Sequence, residues 1–302
     1  MDPVRLRLLR ELGDRGSVVA VAAALHVSAS AVSQQLAALQ STTPVPLTIK
    51  RGRTLVLTDA GEALARASIR VDEALAIAKD SIDSFLAAPE RVVTVSAYHS
   101  AALTFFGPLL KTLNGKQSLS LADADVARTE FPSLTADFDL VIAHRLSHNP
   151  EWPMERVVSV PLLKEPLDIA LPARHALAQQ DEIHLELLRD EVWISTHEGF
   201  PLSGVLDHIG ALIGGPPRIA HRINEFTVAA EVVRAGAAIA VMPRFTARSL
   251  AVNGMVLRPV VGAHLERHVD VLARRDSLAH ARVREVLGVL RKLAVDTRSE
   301  NI

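Results

Sequence analysis

Apolar residues recur at helical spacing through the first forty positions. Val or Leu at 4, 6, 8, 9 and 12 predicts a helix over Val4–Leu12, with Gly13 as its stop. Ser17 is placed to cap a second helix over Val18–Leu25, and Ser28 a third that runs to about Gln40. Val32, Leu36 and Leu39 share one face of the third helix at i, i+4 and i+7, while Ser30, Gln34 and Ala37 point the opposite way. His26-Val27 leaves only a tight link between helices two and three. A helix, a short turn and a helix with a small, polar outer face is the helix-turn-helix plan.

From Thr43 the pattern turns extended. Pro44 and Pro46 break helix, Leu47–Lys50 and Thr54–Leu57 alternate as strands, and Arg51-Gly52-Arg53 is the turn between them. A basic hairpin tip behind such helices forms a wing that reaches phosphates or a minor groove. A long helix follows, capped by Thr58 or Asp59 and carried to about Leu86, with Ala87-Ala88-Pro89 closing it. Leu64, Ser68, Val71, Leu75, Ala78, Ile82 and Phe85 are spaced 4, 3, 4, 3, 4, 3, a heptad seam that favours a dimer-forming helix over a plain core helix.

Beyond Arg91 strand and helix patterns alternate. Strands are predicted at Val92–Ala97, Ser118–Ala122, Phe138–Ala143, Leu167–Leu171, Val192–Ser195, Ile239–Met242 and His268–Ala273. Helices fit at about Ser100–Leu113, Pro201–Ile213, Thr227–Ala235 and His280–Leu293. This is an α/β region, whose ligands bind at the carboxyl ends of the strands.

Composition sharpens the first part of this picture. The 302 residues are enough for about two domains. With 33 Lys plus Arg against 34 Asp plus Glu the chain is nearly neutral, which excludes a globally basic chromatin protein. Yet positions 15–58 hold no acidic residue, where about five are expected, and they hold Arg15, Lys50, Arg51 and Arg53. A surface cleared of carboxylates and dotted with cations suits a polyanion. Cysteine is absent, so disulfides, thiolate metal sites and cysteine nucleophiles are excluded. No apolar run reaches the ~20 residues of a membrane helix, and Met1–Arg10 lacks a signal-peptide core, so the sequence reads as cytoplasmic, with no membrane partner.

These segments resemble a LysR-type transcriptional regulator over essentially the full chain. Ala20–Gln40, AVAAALHVSASAVSQQLAALQ, is similar to that family's helix-turn-helix, and Lys50–Gly61, KRGRTLVLTDAG, to its wing and linker-helix start. Pro161–Ser195, with PLLKEPLDIALPARHALA and VWIS, resembles the start of its second effector lobe, and Arg234–Pro243, RAGAAIAVMP, a late helix-to-strand segment. The family commonly carries Arg at the position of Gln34, Glu at Gln40 and Phe at Thr48, a difference that bears on operator preference. It also often has Gly at Ala238 and Pro at Ala176.

The resemblance implies a winged helix-turn-helix over 1–58, a linker helix over 59–88 and a two-lobed periplasmic-binding-protein-like effector domain over 91–302. Lobe I is about 91–161 and 268–302, and lobe II about 162–267. It further implies a homodimer or homotetramer on double-stranded DNA, modulated by a small-molecule effector, a small organic acid or amino acid, with no cofactor.

Side-chain chemistry names the contacts. Ser28, Ser30, Ser33, Gln34 and Gln35 can donate to bases or phosphates, Gln can pair bidentately with adenine, and Ala31 can touch a thymine methyl. Lys50, Arg51 and Arg53 supply sequence-independent affinity. For the effector, the turn Tyr98-His99-Ser100 offers helix-start N–H groups and a hydroxyl, the alternative being that Ser100 only caps its helix. His144 and Arg145 end another strand and offer cations to a carboxylate. Thr196, His197 and Glu198 follow a third strand, and Phe226 and Thr227 open a helix on the far side.

Two rival classes remain to weigh. For an enzyme, the pairs His144/His148 and His264/His268 have i, i+4 spacing, but the first runs into Asn149-Pro150 and the second into a strand, so no metal is expected. H-E-x-x-H, G-x-S-x-G, Walker and G-x-G-x-x-G motifs are absent. A cytoplasmic solute-binding protein fits the α/β part but leaves Ala20–Gly61 without a role.

Overall fold

The computed structural model describes residues 1–52, 54–83, 91–115 and 118–299. Arg53, Phe85, Leu86 and the closing Ala87-Ala88-Pro89 lie outside the described residues.

Helix α1 (Pro3–Arg15) starts where Asp2 accepts from Val4 N at 2.8 Å. It runs through Gly13, the predicted stop, and ends at Gly16, whose φ of 73° is left-handed and whose N–H reaches Leu12 O. Gly13 serves a different need: a Cβ there would lie 2.8 Å from the Leu57 side chain. Helices α2 (Val18–Ala24) and α3 (Ala29–Gln40) are capped by Ser17 and Ser28, which accept from Ala20 N and Ala31 N at 3.1 Å each. The two axes bend by 112°, within the helix-turn-helix range. Leu9, Leu12, Val21, Val32, Leu36 and Leu39 close their shared core.

Strands β1 (Thr48–Arg51) and β2 (Thr54–Leu57) form the antiparallel wing. Gln40 ties it to α3, accepting from Leu47 N at 2.7 Å and donating to Val45 O at 2.9 Å. Helix α4 (Asp59–Asp83) leaves the wing at close quarters. A Cβ on Gly61 would stand 2.0 Å from Leu47 O, so only glycine lets the backbones meet. The heptad positions split: Leu64, Ser68 and Val71 are buried or half-buried on the α1 side, whereas Leu75, Ala78 and Ile82 are exposed.

The rest is α/β. In chain order come β3 (Val93–Ala97), α5 (His99–Leu113), β4 (Leu119–Asp123), α6 (Phe131–Leu134), β5 (Leu140–Leu146) and β6 (Val158–Pro172). Then follow β7 (Ile183–His184), β8 (Val192–Ser195), α7 (Val205–Ile213), β9 (Arg218–Arg222), α8 (Phe226–Ala235) and β10 (Ile239–Pro243). The chain closes with β11 (Met255–Arg258), β12 (Val260–Val261), β13 (Glu266–Ala273), α9 (Arg275–Ala279) and α10 (Ala281–Ser299). The main sheet has the order β4-β3-β5-β13-β6-β10-β8-β9, with β11 on β6 and a separate β12-β7 pair.

Strand β6 is far longer than the predicted Leu167–Leu171. Its first part pairs with β13 and its last with β10 and β11, so one strand serves both lobes. Separate cores flank it, one around Phe105, Phe131, Ile142 and Leu290, the other around Ile169, Trp193, Leu206 and Ile209. Strand β5 also runs past its predicted end at Ala143, which puts His144 and Arg145 inside the strand.

The amino-terminal unit is joined to the α/β part by buried ions. Arg274, just after β13, binds both Glu11 and Asp14 of α1. Arg10 lies 2.9 Å from Asp72 and 3.1 Å from Asp276, and Arg15 reaches Glu11 at 2.7 Å and Asp137 at 2.8 Å. Burial raises the Glu11 carboxyl, but Arg274 and Arg15 together hold it below its usual 4.5. A depressed folded value means this contribution is present above the unfolded carboxylate range and lost as pH falls through it.

Replacing Arg274 with Ala leaves the buried Glu11 with Arg15 as its remaining partner, and is expected to cost about 3 kcal/mol in urea unfolding at neutral pH. Much of that loss should be recovered at acid pH, where Glu11 takes a proton. Gly61→Ala should separately destabilise the wing unit by more than about 1 kcal/mol, read by thermal unfolding.

Candidate functional site

The first exposed chemistry lies on α3 and the wing. Ser30, Ser33, Gln34, Gln35, Lys50 and Arg51 are exposed, and Ala31 is half-buried. Three of the predicted contacts are already engaged: Ser28 Oγ caps Ala31 N and lies 2.9 Å from Ser30 Oγ, and Gln35 accepts from Arg5 at 3.0 Å. Gln34 and Arg51 stand clear of the core that Val32, Leu36 and Leu39 make.

A second site lies between the lobes, at the carboxyl ends of β3, β5 and β8. It is a narrow cleft with about 350 Å³ of empty space, mouth included, lined by Tyr98, His99, Ser100, His144, Thr196 and Phe226 among others. Six of the residues predicted to hold the effector therefore meet. Arg145, Glu198 and Thr227 do not line it.

Each exception has a physical reason. Consecutive strand residues point to opposite faces, so His144 and Arg145 cannot both face one cleft. Arg145 turns to Asp270 at 3.6 Å and donates to Asn149 O. Glu198 is exposed beside Arg222, and Thr227 gives its N–H and hydroxyl to Glu225, the N-cap of α8, at 3.0 and 2.9 Å. Nor is Ser100 a cap: α5 begins at His99 with Tyr98 as N-cap, and the Ser100 hydroxyl accepts from Arg267 at 3.2 Å.

Sequence reasoning misses Arg267, which sits at the centre. It is fully buried, donates to Glu165 at 2.8 Å and to Thr246 Oγ1 at 2.7 Å, and lies 5.1 Å from the Tyr98 ring centroid. Burial lowers its pKa, but Glu165 and other neighbours outweigh that and raise it, so the guanidinium stays charged. The His144 ring packs on Tyr98 at 4.0 Å between centroids. Burial, and then Arg267, push the imidazole well below 6.5, so it is neutral at pH 7 and offers no cation.

Asp125, Asn224, Glu225, Phe200, Pro201 and Leu202 complete the wall, and none carries a local signal in the sequence. Among the described residues no group of three or more His, Asp or Glu side chains can hold a metal ion. His148 stacks on His208, with ring centroids 5.7 Å apart. No single described helix is long and apolar enough to cross a membrane.

Comparisons with known proteins agree with this layout. The family model described as "Bacterial regulatory helix-turn-helix protein, lysR family" matches residues 4–62, and "LysR substrate binding domain" matches residues 87–294. The nitrogen assimilation regulatory protein nac of Klebsiella aerogenes is 27% identical over 273 residues, covering 85% of this chain and 84% of that one. An uncharacterised HTH-type regulator, YybE of Bacillus subtilis, is 24% identical over 80% of this chain and 82% of its own. Among solved structures, a full-length OxyR variant from Pseudomonas aeruginosa superposes with a TM-score of 0.66 at 19% identity, over 97% of this chain and 94% of that one. CbnR complexed with its target DNA gives 0.53 at 20% identity, over 97% and 100%.

A neutral, desolvated His144 predicts a definite titration. Its folded pKa is depressed, so its contribution to stability is present above 6.5 and declines as pH falls below that value. Ring-nitrogen NMR should show an imidazole that stays neutral well below pH 6.5, and that signal should vanish in His144→Phe.

Proposed function

The chain belongs to the LysR family of transcriptional regulators, and from that premise we propose how its own residues read DNA and sense a ligand. Its relatives are DNA-binding regulators rather than enzymes, and regulators of this family act as oligomers on DNA. In our reading, α3 enters the major groove with Ser30, Ala31, Ser33 and Gln34 toward the bases, while Lys50, Arg51 and Arg53 hold phosphates. The observation that carries this is the pairing of an acid-free 15–58 segment with an exposed Gln34 and Arg51.

We assign the functional units to 1–58, 59–88 and 91–302, with the effector between lobe I (about 91–161 and 268–302) and lobe II (about 162–267). The exposed Leu75, Ala78 and Ile82 of α4 give a second copy its apolar face, in a homodimer or a tetramer built from such pairs. The protein works where its DNA is, in the cytoplasm. Tyr98, His99, Ser100, Thr196 and Phe226 are the effector contacts we retain. Of the two ligand chemistries, the small organic acid loses the support of His144 and Arg145, and the amino acid keeps an ammonium group.

Gel shift on the DNA upstream of its own gene tests the reading. Arg51→Ala combined with Arg53→Ala should weaken binding to all sequences and flatten the salt dependence by about one unit of slope per lost phosphate contact. Gln34→Ala should instead cost about 1–3 kcal/mol of discrimination at one base position. An unchanged salt slope rejects the phosphate role.

A further inference from the structure

We infer that the ligand of the inter-lobe cleft carries an organic cation, a protonated amine or guanidinium, held by Asp125 and Glu225. The inference rests on the reading of that cleft as the effector site, and adds the charge of what it takes.

The sign of the charge comes first. Three carboxylates close on the half-exposed imidazole of His99: Asp123 lies 2.9 Å from Nε2, and Glu225 and Asp125 lie 3.1 and 3.9 Å from Nδ1. Arg267 is the permanent cation among the lining residues, and Glu165 at 2.8 Å already neutralises it. His144 is neutral and Arg145 is turned away. An entering carboxylate thus meets an excess of like charge in a partly desolvated space, while an entering ammonium meets acceptors that the half-exposed His99 shares.

Glu225 is built for this. Its Oε1 accepts from Thr227 N and Oγ1 at the start of α8. The other oxygen, Oε2, is left facing His99 and the cleft. A ligand N–H then takes the place that the His99 ring holds beside this oxygen.

The second observation is the wall itself. The chain's single tyrosine, Tyr98, and two of its eight phenylalanines, Phe200 and Phe226, line this cleft. Aromatic faces beside carboxylates are the usual surroundings of a bound organic cation. The Tyr98 hydroxyl is buried, the residue being 2% exposed, and has no hydrogen-bond partner among the described residues. Buried hydroxyls are rarely left so, and a ligand N–H satisfies this one.

Calorimetry on the full chain tests the assignment with a phenyl skeleton of graded charge: phenylacetate, phenylalanine and phenethylamine. Succinate and 1,4-diaminobutane provide an aliphatic pair. The amines should bind at least about tenfold tighter than the matching acids, and Asp125→Asn and Glu225→Gln should each weaken amine binding about tenfold or more. The amide of Glu225→Gln keeps an acceptor for the α8 cap, and Glu186→Gln on the outer surface of lobe II should change nothing. Acids binding as tightly as amines, no amine binding at about 10 mM, or amine affinity unmoved by both substitutions each overturns the proposal. If acids bind and Ser100→Ala weakens them while the gel shift persists, the cation is wrong and the effector site stands. If ligand affinity ignores Ser100→Ala, Asp125→Asn and Glu225→Gln alike, the effector-site reading fails as well.

Discussion

Arg267 and Glu165 meet where β13 and β6 pass from one lobe to the other, and both are withdrawn from solvent. Desolvating such ions costs several kcal/mol each, and only a full set of partners offsets it. That set is present. Arg267 donates to Glu165, Thr246 and Ser100, while Glu165 Oε1 accepts from Phe245 N at 2.8 Å and Thr246 N at 2.7 Å. These partners come from β6, from the turn after β10 and from the start of α5, so the pair pins three segments and both lobes at one point. The same completeness leaves the guanidinium little charge to offer a ligand.

Charge in this chain is segregated although its sum is close to zero. Carboxylates are missing from 15–58, where a polyanion is to be approached, and gather around His99, where they can hold a cation. Helix α1 looks like an exception, since Glu11 and Asp14 belong to the DNA-binding unit. Their charges are absorbed by Arg274 from the α/β part and so stay out of the field that DNA meets.

What can be read from sequence is whatever is decided within a few residues. Ser17 and Ser28 caps, the Val32-Leu36-Leu39 face and the Ile239–Met242 run each follow from local spacing, and each element appears within a residue or two of its expected place. The pattern cuts strand β6 short because Pro161, Glu165 and Pro166 argue against a strand. The structure tolerates Pro161 where the β13 register shifts between Val269 and Asp270, a bulge no local pattern announces. The cleft is half legible for the same reason. Tyr98 and Ser100 mark a strand-to-helix turn, but Arg267 meets Glu165 across 102 positions and Ser100 across 167, and Asp125 and Glu225 sit in loops without motif. Gly13 misleads because a glycine that permits close approach to Leu57 looks in sequence like one that ends a helix.

One strand joins the two ends of this system. Arg267 in the cleft and Arg274 against the amino-terminal unit lie seven residues apart along β13 and its exit, about 24 Å of extended chain. The strand is paired on both sides, with β5 and with β6, and carries one register shift between Val269 and Asp270. A ligand that favours one arrangement of the lobes biases the reading head only by its difference in affinity between arrangements, and DNA must bias the ligand by the same factor.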